Sequence, residues 1–264
     1  EVAIKDLRGT QALGYSLPKP PGKVALVLGA GNLPGIPVTD ILDRLFVHNQ
    51  VVILKMNPVN DYIGPLFEDG FRCLIEAGFL QISYGGANEG AYLCQHPGVD
   101  EVFITGSDKT FDAIVFGPGE AGAKRKTEHQ PLLKKPVHGE LGNVTPVIIV
   151  PGAWSQDDLE YQAESIVSWI ATHAACACNN PRVILLHAEW PQRAAFLDAI
   201  RRVFSRTPLR FAYYPGSRQR YQSYLHTHTN VEKIGEPQEG ELPWTMITDV
   251  DILNSSDPCF NTEA

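Results

Sequence analysis

The sequence predicts an α/β protein built as two doubly wound lobes. Short apolar runs alternate with stretches of helical spacing through the first half, as parallel strands with crossover helices require. A second strand–helix series starts afresh after about residue 140. The 264 residues leave room for one large domain or two small ones, at roughly 150 residues each.

Lys23–Leu28 is a short apolar run closed by glycine, as a buried parallel strand should be. Residues 36–48 have helical spacing, and Val51–Leu54 is the next strand. Residues 62–77 read as one amphipathic helix with Pro65 near its start. Leu80–Tyr84 is a third strand closed by Gly85-Gly86, and Val99–Ile104 a fourth, followed by Thr105-Gly106-Ser107 and a helical stretch. Residues 117–135 break the pattern with Gly117-Pro118-Gly119 and the basic Lys124-Arg125-Lys126. They read first as a solvated loop and second as a phosphate-binding loop. The second half brings a strand at 146–150 and a long helix from Gln156 capped by Ser155, with Asp157-Asp158 in its first turn. A strand at 182–187, a helix at 190–204 and a short strand at 210–214 follow. The lobes are expected to divide at 1–141 and 142–264.

Composition narrows the function. Apolar residues are 44%, enough for a core, and the net charge of −8 argues against a nucleic-acid partner. No run approaches the ~20 apolar residues of a membrane span. Five cysteines are too few, and odd in number, for a disulfide framework. They read as reduced thiols in a cytoplasmic setting. The chain starts at Glu1 and stops at Ala264, so the reading expects a piece of a longer polypeptide, its second lobe truncated at the C-terminus.

Several residues stand where ligands gather, at the carboxyl ends of parallel strands. Gly29-Ala30-Gly31 follows the first strand, but the next glycine is Gly35 and no acidic residue ends the second strand, so the usual dinucleotide fingerprint is not met. Asn32 is either an amide donor in that crevice or the cap of the next helix. Lys55 ends the second strand and is either a solvated lysine or a donor to ribose or phosphate. Gly106-Ser107 is either a helix cap or a small anion site. Glu140 is a surface carboxylate, or one partly desolvated in a cleft and tuned for general-base work. Cys176 and Cys178 follow the long helix. Two thiols make a poor metal site, so each is a buried inert cysteine or a nucleophile. His226-Thr227-His228 lacks a third ligand nearby and is read as structural, so no metal is expected.

In order along the chain, these pieces resemble the aldehyde dehydrogenase superfamily, well over residues 20–190 and loosely beyond. The motifs are Gly29-Ala30-Gly31-Asn32-Leu33-Pro34, Val52-Ile53-Leu54-Lys55, Phe103-Ile104-Thr105-Gly106-Ser107, Glu140-Leu141-Gly142-Asn143 and Cys178-Asn179-Asn180-Pro181-Arg182. The resemblance implies an aldehyde-dehydrogenase-like fold with the active site in the cleft between the lobes. It implies an enzyme that oxidises a small-molecule aldehyde with NAD or NADP. Cys178 would form the thiohemiacetal and then the thioester, Asn32 would stabilise the oxyanion, and Glu140 would activate water. Lys55, Gly106, Ser107 and Glu263 would bind the cofactor. Members usually form homo-oligomers through an added strand or hairpin not evident here. The family's Gly-Gln before the nucleophile is Ala175-Cys176, and Pro58 stands where a ribose-binding glutamate usually follows the lysine, which leaves room for NADP. Cys176 and Cys178 together suggest a disulfide formed on oxidation. Gly31-Asn32-Leu33-Pro34-Gly35 also resembles the branch that reduces acyl-CoA or other acyl thioesters with NADPH, in which the basic loop would meet the donor's phosphates. A catalytically silent relative that binds a nucleotide or a partner is the third reading.

Overall fold

The computed structural model of the protein describes residues 22–262, together with Gly9 and Tyr15. The chain divides into two compact units, Glu1–Leu141 and Gly142–Ala264. Among the described residues, no helix is long and apolar enough to cross a membrane.

The first unit is wound on a five-stranded parallel sheet. Its strands are β1 (Val24–Leu28), β2 (Val51–Lys55), β3 (Leu80–Ser83), β4 (Glu101–Gly106) and β5 (Val137–Leu141), in the order β3-β2-β1-β4-β5. Successive side chains of a strand point to opposite faces. Val27, Val52 and Leu54 therefore join Ile41, Met56, Leu80 and Ile82 in one core layer. Leu26, Leu28, Val102 and Ile104 join Cys94 and Val99 in another. Helix α1 (Ile36–Leu42), α2 (Gly64–Gly70) and α3 (Arg72–Glu76) supply side chains to the first layer. Helix α4 (Ala87–Gln95) and α5 (Asp108–Phe116) supply the second. Both faces are thus covered, which is why the inner strands β1, β2 and β4 are nearly continuous apolar runs.

Several expected elements differ. The helix at 36–48 turns into a π-helical turn over Asp43–Val47. The helix at 62–77 is interrupted at Phe71. Helix α4 and strand β5 carry no strong periodic signal and were not foreseen. The loop reading of 117–135 is corrected: Gly119–Thr127 is a helix, α6, with the basic residues in its last turn. Lys126 pairs with Asp112 at 2.6 Å, Lys124 with Glu128 at 3.8 Å, and Arg125 donates to the Phe116 carbonyl at 2.8 Å.

In the second unit, β6 (Thr145–Ile149) pairs in parallel with β7 (Pro181–Leu186). They are connected through α7 (Gln156–Ala171), which Ser155 and Asp158 cap reciprocally. Helix α8 (Arg193–Arg206) lays Phe196, Ala199, Ile200, Val203 and Phe204 on Leu159, Ala163, Ile166 and Val167 of α7. Both sets repeat every three or four residues, one face of each helix. Beyond α8 come β8 (Arg210–Phe211), α9 (Ser217–Thr227), β9 (Val231–Ile234), β10 (Glu241–Leu242), β11 (Trp244–Ile247) and α10 (Pro258–Asn261). The winding of this unit is less extensive than expected. Among the described residues its parallel sheet has two strands, and β8/β10 and β9/β11 are antiparallel pairs.

Candidate active site

In the first unit, the strand order reverses between β1 and β4, and ligands of open α/β sheets lie outside the carboxyl ends of strands at such a point. The turn after β1 is tightly held there. Buried Asn60 donates from Nδ2 to the Ala30 and Gly31 carbonyls at 3.0 and 3.1 Å. A Cβ on Gly31 would lie 2.7 Å from the Asn57 side chain, so a larger residue would displace Asn57, whose Oδ1 accepts the Val59 N–H at 3.1 Å. This clasp places Asn32, which is partly buried. Its capping alternative is corrected, because the residue at the cap of α1 is Gly35.

Lys55 ends β2 and is 7% exposed, so it is not the solvated strand-end lysine of the simpler reading. Burial holds its ammonium below the ordinary lysine range, while the Glu89 and Asp61 carboxylates pull the other way. A buried, flexible donor at a strand's carboxyl end fits a ribose or phosphate group. Ser107 caps α5, its Oγ accepting from the Thr110 N–H at 3.1 Å. The bland reading of Ser107 is therefore realised. The N-terminal turn of this nine-residue helix still faces outward from the end of β4, where anions are favoured.

Glu140 lies on β5 and pairs in register with Thr105 of β4. Gly139 beside it is required by Phe111, since a Cβ there would lie 2.8 Å from the ring. Glu140 itself is exposed, the surface alternative of the two that the sequence offers for it. The desolvated carboxyl is Asp40, on the inward face of α1 and 8% exposed. Its Oδ2 is buried, as is Oγ1 of Thr105, whose hydroxyl interacts with this carboxyl. Burial, and next the charge of Glu140, push Asp40 up to about 6, against the opposing pull of Arg44. The sequence signal was an aspartate at a core position of a helical stripe, between Pro37 and Ile41.

In the second unit, the chain between α7 and β7 carries Cys178. His173, Ala174 and Ala175 adopt left-handed backbone (φ 51°, 55° and 62°). The loop then closes on Asn180, 2% exposed, whose Oδ1 accepts from the Ala177 N–H at 2.6 Å and whose Nδ2 donates to the Trp169 carbonyl. Arg182 donates to the Ala175 carbonyl. Cys178 is half-buried in this loop, whereas Cys176 is 5% exposed and donates to the Ala174 carbonyl at 3.4 Å. Burial pushes the Cys94 and Cys259 thiols up to about 11 and 12, away from nucleophilic use. Asn60 and Asn180 are the placing residues that residue-by-residue reading missed; polar side chains in short loops give no periodic signal. Glu263 lies outside the described residues.

These features define a chain of the aldehyde dehydrogenase type. The model of the aldehyde dehydrogenase family matches residues 11–209, and the chain belongs to that family. It is 32% identical over 185 residues to N-succinylglutamate 5-semialdehyde dehydrogenase of Novosphingobium aromaticivorans, covering 69% of this chain and 35% of that protein. It is 27% identical over 176 residues to human 4-trimethylaminobutyraldehyde dehydrogenase, covering 66% and 32%. The chain thus spans about a third of the length of these curated relatives. Among solved structures, the Mycobacterium tuberculosis aldehyde dehydrogenase complexed with NAD+ is similar at a TM-score of 0.66 and 20% identity, over 92% of this chain and 50% of that one. The NADP-dependent glyceraldehyde-3-phosphate dehydrogenase of Bacillus halodurans C-125, complexed with NADP, is similar at 0.63 and 19%, over 84% and 46%. At that identity the likeness is one of fold.

Proposed function

We propose that the protein oxidises an aldehyde to a carboxylic acid with NAD or NADP through a thioester on Cys178. The observation that supports this most is the loop Ala177–Asn180. It is fixed from beneath by a buried asparagine and leaves a half-buried thiol at its apex. In this reading the Cys178 sulfur attacks the carbonyl carbon, and the developing oxyanion is held by the Asn32 amide and the Cys178 N–H. A nicotinamide dinucleotide, when bound, supplies the hydride acceptor. Lys55 donates to its ribose, and the Gly106-Ser107 turn offers N–H groups to its phosphates. Glu140 then takes a proton from the water that attacks the thioester carbon, and sulfur leaves as thiolate. The unit Glu1–Leu141 is assigned the dinucleotide and the unit Gly142–Ala264 the nucleophile. Pro58 offers no carboxylate against a 2′-phosphate, so NADP remains acceptable.

For the acyl-thioester reductase reading, the basic residues meant for the donor's phosphates lie in the last turn of α6, with Lys124 and Lys126 largely exposed. The test is absorbance of reduced nicotinamide with either dinucleotide and a panel of short, long, anionic and cationic aldehydes. Turnover that vanishes in Cys178→Ala is the expected result. A blank in this direction, with turnover of acyl-CoA and NADPH, would replace oxidation by reduction. Dinucleotide binding with no turnover in either direction would support the silent relative.

A further inference from the structure

The sequence placed His228 beside another histidine with no third ligand near it. The fold brings two more donors to it from about thirty residues away. His228 follows the last turn of α9. Asp257 and Cys259 stand at the start of α10, where the Asp257 carboxylate accepts the Cys259 N–H at 2.9 Å. His228 Nε2 lies 3.1 Å from Asp257 Oδ1 and 3.6 Å from Cys259 Sγ. The donor atoms of all three residues fall within 4.8 Å of one another. We propose that His228, Asp257 and Cys259 form a binding site for a divalent transition-metal ion of the zinc class.

The separations carry the argument. Zinc bonds of about 2.0–2.3 Å, set tetrahedrally, hold nitrogen and oxygen donors roughly 3.3 Å apart and nitrogen and sulfur roughly 3.6 Å apart. The cluster already has nearly that spacing. The donor set of one imidazole, one carboxylate and one thiolate suits a borderline-soft ion and disfavours calcium or magnesium. A Cys–His–Asp triad is not an alternative, because a triad needs its acid and its thiol on opposite ring nitrogens. Here both meet Nε2, so the ring cannot relay a proton between them, whereas one cation can serve all three.

The surroundings fit as well. The side chains of His228 and Asp257 are 12% and 5% exposed, which limits competition from water. The capping bond to the Cys259 N–H orients the carboxylate, the kind of outer support that ligating groups need. Cys259 also lines a cavity of about 430 Å³ within the second unit, bordered by Arg220, Tyr224 and Trp244. Of the three donors only Cys259 borders that cavity, so an ion would enter from the thiol side. On binding, the Cys259 S–H bond breaks, a sulfur–metal bond forms and the proton goes to solvent.

The test is titration of the full, chelator-stripped chain with Co²⁺, followed by competition with Zn²⁺. One equivalent should bind and give a thiolate-to-cobalt charge-transfer band. Cys259→Ser should abolish the band, His228→Ala should weaken binding more than about 100-fold, beyond what loss of an outer partner costs, and Cys73→Ser should change neither. In the wild-type protein, Zn²⁺ binding should also release about one proton per ion in weakly buffered solution, as the Cys259 thiol ionises onto the metal. That arm requires no variant to fold. A band that survives Cys259→Ser, or no proton release on adding Zn²⁺, would overturn the proposal and leave the three residues as a hydrogen-bonded cluster only.

Discussion

Ala175 illustrates how one residue is tied to both the family pattern and the local backbone. Its φ of 62° lies in the left-handed region, where a Cβ crowds the carbonyl and costs roughly 1–2 kcal/mol. Glycine, usual in the family at this place, avoids that crowding but gives back about 0.5–1 kcal/mol through the freedom of the unfolded chain. Ala175→Gly should therefore raise stability by roughly 0.5–1 kcal/mol, read as a higher midpoint in chemical denaturation. A lower midpoint would show that the turn is not strained. The departure at Ala175 is legible against the family's motif, but its cost lies in the dihedral. Cys178, by contrast, was legible from Cys-Asn-Asn-Pro-Arg ahead of a strand. Asn180, which holds that loop, was quoted within the same motif without a role, because side-chain bonds to loop carbonyls leave no spacing to read.

At the scale of elements, α1 carries the most informative surprise. It packs Ile41 into the core and, on the same inward stripe, buries Asp40 towards Thr105 of β4 and Glu140 of β5. Asp40 is raised from the usual 3.8 to about 6, so the folded chain holds a proton that the unfolded chain releases. Below about pH 4 both states are protonated and nothing is lost. As pH rises through 6, stability falls by up to about 3 kcal/mol, taking 1.36 kcal/mol per unit. Asp40→Asn should therefore stabilise the protein at pH 8, by as much as that amount, and lose the advantage near pH 4. Urea midpoints at pH 4, 6 and 8 check this; a pH-independent difference would mean that Asp40 ionises normally. Strands β1, β2 and β4 were legible as buried apolar runs, and β3 from its alternation closed by Gly85-Gly86. Strand β5 was not, since its pattern Val-His-Gly-Glu-Leu buries little and alternates poorly. Helix α6 was hidden by its flanking glycines and prolines and by its low apolar content, although its basic last turn suits a helix C-terminus.

For the whole molecule, the α/β class and the residues of the candidate site could be read from motif order, while the extent of the second unit's sheet could not. Its antiparallel pairs join short segments with no common periodic signature, β8/β10 across 30–32 residues and β9/β11 across 10–16. The same long-range closure hid the His228, Asp257 and Cys259 cluster. In the proposed reaction the chemistry is divided between the two compact units, Cys178 carrying the acyl group and Glu140 releasing it. The most direct measurement is rapid mixing of the protein with aldehyde and dinucleotide, following reduced nicotinamide. Glu140→Gln should give a burst of one reduced nicotinamide per active site and then stall, with an acyl adduct on Cys178 in the intact mass. Cys178→Ala should give neither burst nor adduct. A burst that persists in Cys178→Ala, or a Glu140→Gln protein that turns over at the wild-type rate, would contradict the account.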